Sequence, residues 1–168
     1  LPKREEKSES MTTIPSEVFK KELFDLLDET FEHTQGIYLD RGTALFDTLS
    51  HLSAEQASTP IGSNGATIAG HVNHLCVYLS VLTDCIRREP AIPINWDEGW
   101  ALREVSSDEW EATQQRLRVS YQATLDVMKA VQTWEGEDDI GASLAILAHT
   151  ALHLGVIRQA MHALKTAG

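Results

Sequence analysis

The chain has 168 residues, of which 42% are hydrophobic and 23% charged, and its formal net charge is −11. That length accommodates one domain with a substantial core and is short for two. Lys and Arg are scattered rather than clustered, which argues against the basic surface that nucleic-acid binders depend on.

No apolar run in the sequence approaches the roughly 20 residues needed to span a bilayer, so a membrane is not an expected partner. The opening "LPKREEKSES" carries no apolar segment of the secretory kind. Residues 1–12 are expected to be a disordered N-terminal extension ahead of a single domain covering 13–168. The two cysteines, Cys76 and Cys85, fall on one expected helix, too far apart to bridge within it. With no disulfide framework, a reducing cytoplasm is the expected location.

Helical spacing dominates the pattern and no strand alternation competes with it. A first helix is predicted from about Pro15 to Glu32, with Val18, Phe19, Leu23, Leu26 and Leu27 on its apolar side and proline in the first turn, where its missing N–H has no intrahelical partner. A second is predicted near Arg41–Leu52, turning Leu45, Leu49 and Leu52 inward. "STPIGSNGAT" reads as a loop. Thr67 is placed to cap a third helix running to about Arg88, whose Ile68, Val72, Leu75, Leu79, Leu82 and Ile86 recur at intervals of four and three.

Pro90 and Pro93 keep "EPAIPINWDEGW" from being helical throughout. Ser106 and Glu109 form an S-x-x-E capping box opening a long helix to about Val131. A turn at Gly136 to Asp139 then leads into a last helix from about Ala142 to Thr166. The expected architecture is all-α: a four-helix bundle with an additional N-terminal helix.

The last helix contains "AHTALHLGVIRQ". At about 100° per residue, His149 and His153 fall within the stripe of Ile146, Ile157, Ala160 and Leu164 and so point inward. Imidazoles at i and i+4 lie one above the other and can reach one ion. Zinc-type sites need at least a third protein ligand, and "GHVNHL" in the third helix offers His71 and His74. Thr150 stands where the H-E-x-x-H metalloproteases carry glutamate, so that base is missing. The bland alternative is a set of core histidines that have found hydrogen bonds.

"HTALHLGVIRQ" resembles the C-terminal signature of the DinB-like (DinB/YfiT-like) superfamily, and "ATIAGHVNHL" resembles the helix bearing that superfamily's third histidine. "TALFDTLSHLSAEQAS" and the tryptophan-punctuated "INWDEGWALREVSSDEW" are similar to its first core helix and its connection into the third, so the likeness runs from about residue 41 to 160. The resemblance implies a metal triad of His74, His149 and His153, with His71 left to hydrogen-bond beside the site or face the cleft. It implies a divalent ion, nickel or zinc, in some members a low-molecular-weight thiol such as mycothiol, bacillithiol or glutathione, and a homodimer.

The expected function is therefore that of a metal-dependent enzyme of small-molecule metabolism or detoxification. Its metal would activate water or a thiol against a small-molecule electrophile, as in a hydrolase or a thiol S-transferase. The competing reading is a metal- or ligand-binding bundle linked to stress response, without turnover. Trp96, Trp100 and Trp110 are candidate pocket walls or packing anchors. Asp97 and Glu98 are possible acid–base groups that no spacing rule singles out. Arg158 and Gln159 follow the ligand turn as supporting or merely structural residues. By helix geometry Cys76 points nearly opposite His74, and Cys85 lies about three turns away, roughly 16 Å, so neither should touch the metal.

Overall fold

The computed structural model describes residues 13–61, 65–90 and 93–167, and the extension expected over 1–12 lies outside them. The described residues are mostly helical, in accord with an all-α chain. The helices are α1 (Ser16–Phe31), α2 (Leu45–Ser50), α3 (Ala54–Ser58), α4 (Ile68–Ile86), α5 (Trp96–Gly99), α6 (Ser107–Ala130) and α7 (Ala142–Ala167). Two short strands, β1 (Pro60–Ile61) and β2 (Ala66–Thr67), pair antiparallel with Pro60 opposite Thr67 and Ile61 opposite Ala66.

The predicted ends hold best where a side chain caps them. Thr67 Oγ1 accepts from the Gly70 N–H at 3.1 Å and opens α4. Ser106 and Glu109 make the reciprocal pair at the start of α6: Ser106 Oγ accepts from the Glu109 N–H, and the Glu109 carboxylate accepts from the Ser106 N–H at 2.7 Å. Each cap satisfies N–H groups that the first helical turn cannot.

Elsewhere the boundaries move. Pro15 is the N-cap of α1 rather than a first-turn residue. α2 begins at Leu45, four residues later than predicted, because the chain turns at Gly42 with φ +76°, a left-handed conformation that glycine adopts without strain. α4 stops at Ile86, and Arg88 adopts φ 58° just beyond it. α3 was not expected, although Ser53 and Gln56 form the S-x-x-Q version of the same capping box. The turn before α7 is a π-helical one over Glu137–Gly141, in which the Gly141 N–H reaches the Gly136 carbonyl at 3.1 Å.

The long elements are α1, α4, α6 and α7. α4 packs against both α6 and α7, and α1 packs against α7. Leu27, Leu75, Leu79, Leu117, Met128, Ile146 and Ile157 are fully buried between them, each stabilising the fold by about 1.5–3 kcal/mol through loss of apolar surface from water. Val18 departs from the expected apolar side of α1 and is 52% exposed, while Phe31, one turn beyond Leu27, is buried in its place. Phe31 stacks on Tyr121 of α6 with ring centroids 3.9 Å apart.

One segment differs from the sequence expectation about membranes. Within the continuous helical stretch Glu137–Thr166, 30 residues long, an 18-residue window has a mean hydropathy of 1.7, apolar enough by length and composition to cross a bilayer. In this structure it packs on α1 and α4 and carries the inward-facing histidines.

Candidate metal centre

α4 and α7 lie side by side, and each delivers histidines to their shared seam. His74 comes from the middle of α4; His149 and His153 come from successive turns of α7. Nε2 of His149 lies 3.0 Å from Nε2 of His74 and 3.0 Å from Nε2 of His153. One ligand nitrogen from each of the three falls within 4.8 Å of the others.

A neutral imidazole nitrogen carries either one proton or one lone pair. His149 Nε2 therefore serves two close nitrogen partners poorly by hydrogen bonding alone, whereas a cation takes a lone pair from each. Tetrahedral coordination at about 2.0–2.1 Å would set the nitrogens roughly 3.3 Å apart, so the two His149 contacts need to open only slightly to hold an ion, and the third pair lies within 4.8 Å.

The electrostatics favour lone pairs over protons. Burial, followed by the charges of His149 and His71, pushes His74 down to about 4. Burial and the three neighbouring imidazoles push His153 down to about 3. Burial also lowers His149 and His71. At neutral pH all four rings are uncharged, the state in which imidazole binds metal. Among the described residues the group contains no carboxylate and no thiolate, and neither Cys76 nor Cys85 belongs to it.

Aromatic rings hold the ligands in place. Trp100 stacks on His74 at 4.3 Å between centroids, and Tyr78 stacks on His149 at 3.7 Å. Trp96, 41% exposed, lies 6.0 Å from His74 and 6.1 Å from Tyr78. Trp96 and Trp100 thus sit at the site, and Trp110 does not: it is buried against the core and donates its indole N–H to the Leu52 carbonyl at 2.9 Å. Trp110 is a packing anchor.

The short α5 is fastened beside the site by Asn73. Its amide donates to the carbonyls of Gly99 at 2.7 Å and Glu98 at 3.2 Å, and its own oxygen accepts from Arg116 of α6 at 2.6 Å. Asp97 and Glu98 are exposed on α5, where the Asn95 amide donates to the Glu98 carboxylate at 3.0 Å. Arg158 is partly exposed, and Gln159 lines an apolar groove of about 1050 Å³ along α7 whose wall includes His71.

Sequence reasoning did not single out Tyr78 and Asn73. Tyr78 lies four residues on from His74, on the same face of α4, where a helical projection would have brought it forward; Asn73, adjacent in sequence, points elsewhere and carries no such signal. His71 is buried, and its Nδ1 lies 2.7 Å from Nδ1 of His153.

Comparison with protein-family models, with curated proteins and with solved structures finds no match. The functional reading accordingly rests on the geometry of the cluster.

Proposed function

We propose that this chain is a metal-dependent enzyme of small-molecule metabolism or detoxification, with His74, His149 and His153 holding one divalent ion through Nε2. The observation that carries this reading is the convergence of three neutral imidazoles on one point, with His149 Nε2 3.0 Å from each of its partners. We further propose that α1, α4, α6 and α7 form a four-helix bundle of the DinB-like kind, with the N-terminal α1 as one of the four rather than the additional helix the sequence suggested, in a single cytoplasmic domain that pairs as a homodimer.

A ligand set without negative charge leaves a bound divalent ion its full Lewis acidity, which suits activation of water or of a low-molecular-weight thiol. Nickel and zinc both accept imidazole. The protein's own residues supply the rest. Tyr78 and Trp100 restrict the rotation of two ligand rings, and Asn73 ties α5 and its two tryptophans beside them. Trp96, the more exposed of the two, offers an apolar face to the non-reacting part of a small substrate.

The deciding experiment is elemental analysis of the protein purified after expression with nickel and zinc both supplied. One equivalent of metal per chain supports the proposal. A protein that carries neither metal, and whose melting temperature does not move on adding either, refutes it. Turnover is then sought with mycothiol, bacillithiol and glutathione against electrophilic substrates. Activity with one thiol marks a transferase, and activity without any marks a hydrolase.

A further inference from the structure

We infer that His71 is a positioning residue: it accepts a hydrogen bond from Nδ1 of His153 and so fixes the tautomer and ring angle that present His153 Nε2 to the metal. The inference rests on the proposed three-histidine site and adds a fourth histidine that touches no ion.

His71 and His74 are neighbours on the same flank of α4, yet they meet α7 differently. His74 approaches His149 with Nε2. His71 approaches His153 with Nδ1, and the atom it meets is the Nδ1 of His153, 2.7 Å away. That contact lies on the opposite edge of the His153 ring from Nε2, which is 3.0 Å from His149. His153 is thereby held at both nitrogens, and His71 has no nitrogen among the converging ligand atoms.

Proton counting then assigns the direction. When Nε2 of His153 gives its lone pair to an ion, the ring's single proton must sit on Nδ1. The partner found for that proton is Nδ1 of His71, which must then present a lone pair and carry its own proton on Nε2. A ligand histidine whose second nitrogen donates to an acceptor is both oriented and made a better electron donor. His74 shows the contrast, since its Nδ1 is buried without a hydrogen-bond partner and only stacking on Trp100 orients the ring from that side. His71 is itself fixed: it is 8% exposed and meets the edge of Trp100 at 5.0 Å.

The test uses the full chain as wild type, His71→Leu, His71→Ala and His71→Asn. Leucine fills the space without an acceptor, and asparagine places an amide oxygen near the position of Nδ1. Zinc affinity is measured by chelator competition, and the tautomer of His153 by long-range proton–nitrogen correlation on the zinc-loaded protein. The wild type should show His153 protonated at Nδ1 and bound through Nε2.

His71→Leu should keep one zinc per chain but bind it about 10–100-fold more weakly, with the Nδ1 proton shifted upfield. His71→Asn should recover part of the loss. Equal zinc affinity in wild type and His71→Leu, or His153 bound through Nδ1, overturns the inference while leaving the metal site intact. A wild type that takes up no zinc or nickel overturns the metal site and this role with it. Should His71→Leu fail to fold, the wild-type tautomer and the His71→Asn affinity decide the matter: Nε2 protonation of His153, or an asparagine variant no tighter than His71→Ala, rejects it.

Discussion

Trp100 lies almost parallel to His74, with ring centroids 4.3 Å apart and planes 18° apart, and it is the residue that follows Gly99. Gly99 is buried against the same imidazole: a Cβ built there would lie 3.1 Å from His74 Nδ1. One ring face of His74 is therefore covered by an indole and its Nδ1 edge by backbone. α5, a single turn in a proline-containing connection, exists where it does because Asn73 binds the carbonyls of Glu98 and Gly99.

Gly99→Ala should disturb the site without unfolding the protein. The added methyl group is tighter than ordinary contact, so either α5 or the His74 ring must give way by a few tenths of an ångström. The expected result is zinc affinity reduced by about tenfold, the low end of what misplacing a ligand's surroundings costs, with a melting temperature within a few degrees of wild type. Chelator competition and thermal melts on the same preparation check it. Unchanged affinity would mean that the backbone at Gly99 does not set the position of His74.

His149→Ala and His153→Ala should each abolish stoichiometric metal uptake, and so should His74→Ala. Two imidazoles fall below the three protein ligands that open metal sites ordinarily keep. Metal content by elemental analysis gives the answer. Retention of a full equivalent in His74→Ala would move the third ligand elsewhere on α4.

Removing the metal should lower the melting temperature. An ion that binds only the folded chain stabilises it by about 2.7 kcal/mol when free metal is a hundredfold above its dissociation constant. For a chain of this length, each kcal/mol is worth about 2–4 °C. Chelation should thus cost roughly 5–10 °C, restored on adding zinc or nickel back. A melt indifferent to chelator would leave the histidines as a hydrogen-bonded core cluster.

Much of this was legible in the sequence, and the exceptions have physical causes. The starts of α4 and α6 were placed correctly because Thr67 and the Ser106–Glu109 pair advertise their caps. The inward direction of His149 and His153 followed from their phase with Ile146 and Ile157, both fully buried. Val18 was misplaced because one turn of helix cannot reveal where its packing partner ends. The choice between His71 and His74 was beyond helix phase altogether. They lie three residues apart on one flank, and only the apposition of α7 makes one a ligand candidate and sends the other to the back of His153.

Glu29 provides a prediction away from the metal. Its side chain is fully buried at the end of α1, and its carboxylate accepts from the N–H groups of Gly36, Ile37, Tyr38 and Leu39, at 3.0 to 3.3 Å, fixing the turn that leads toward α2. Burial alone would push this carboxyl up; the four N–H groups outweigh it and hold the group below its ordinary value. A group depressed in the folded state contributes stability above its unfolded pKa, about 4.3 for glutamate, and that contribution is lost as the pH falls through the lower folded value. Glu29→Gln keeps the shape but turns one acceptor into a donor facing N–H groups, so it should destabilise the protein by about 1–3 kcal/mol at pH 7. The gap from wild type should begin to narrow as the pH falls below about 4, where the unfolded chain's glutamate takes up a proton, and close only as the pH passes the lower folded value. Urea melts at pH 7 and in steps below pH 5 measure both effects, and a variant as stable as wild type at pH 7 would show that the turn does not depend on the charge.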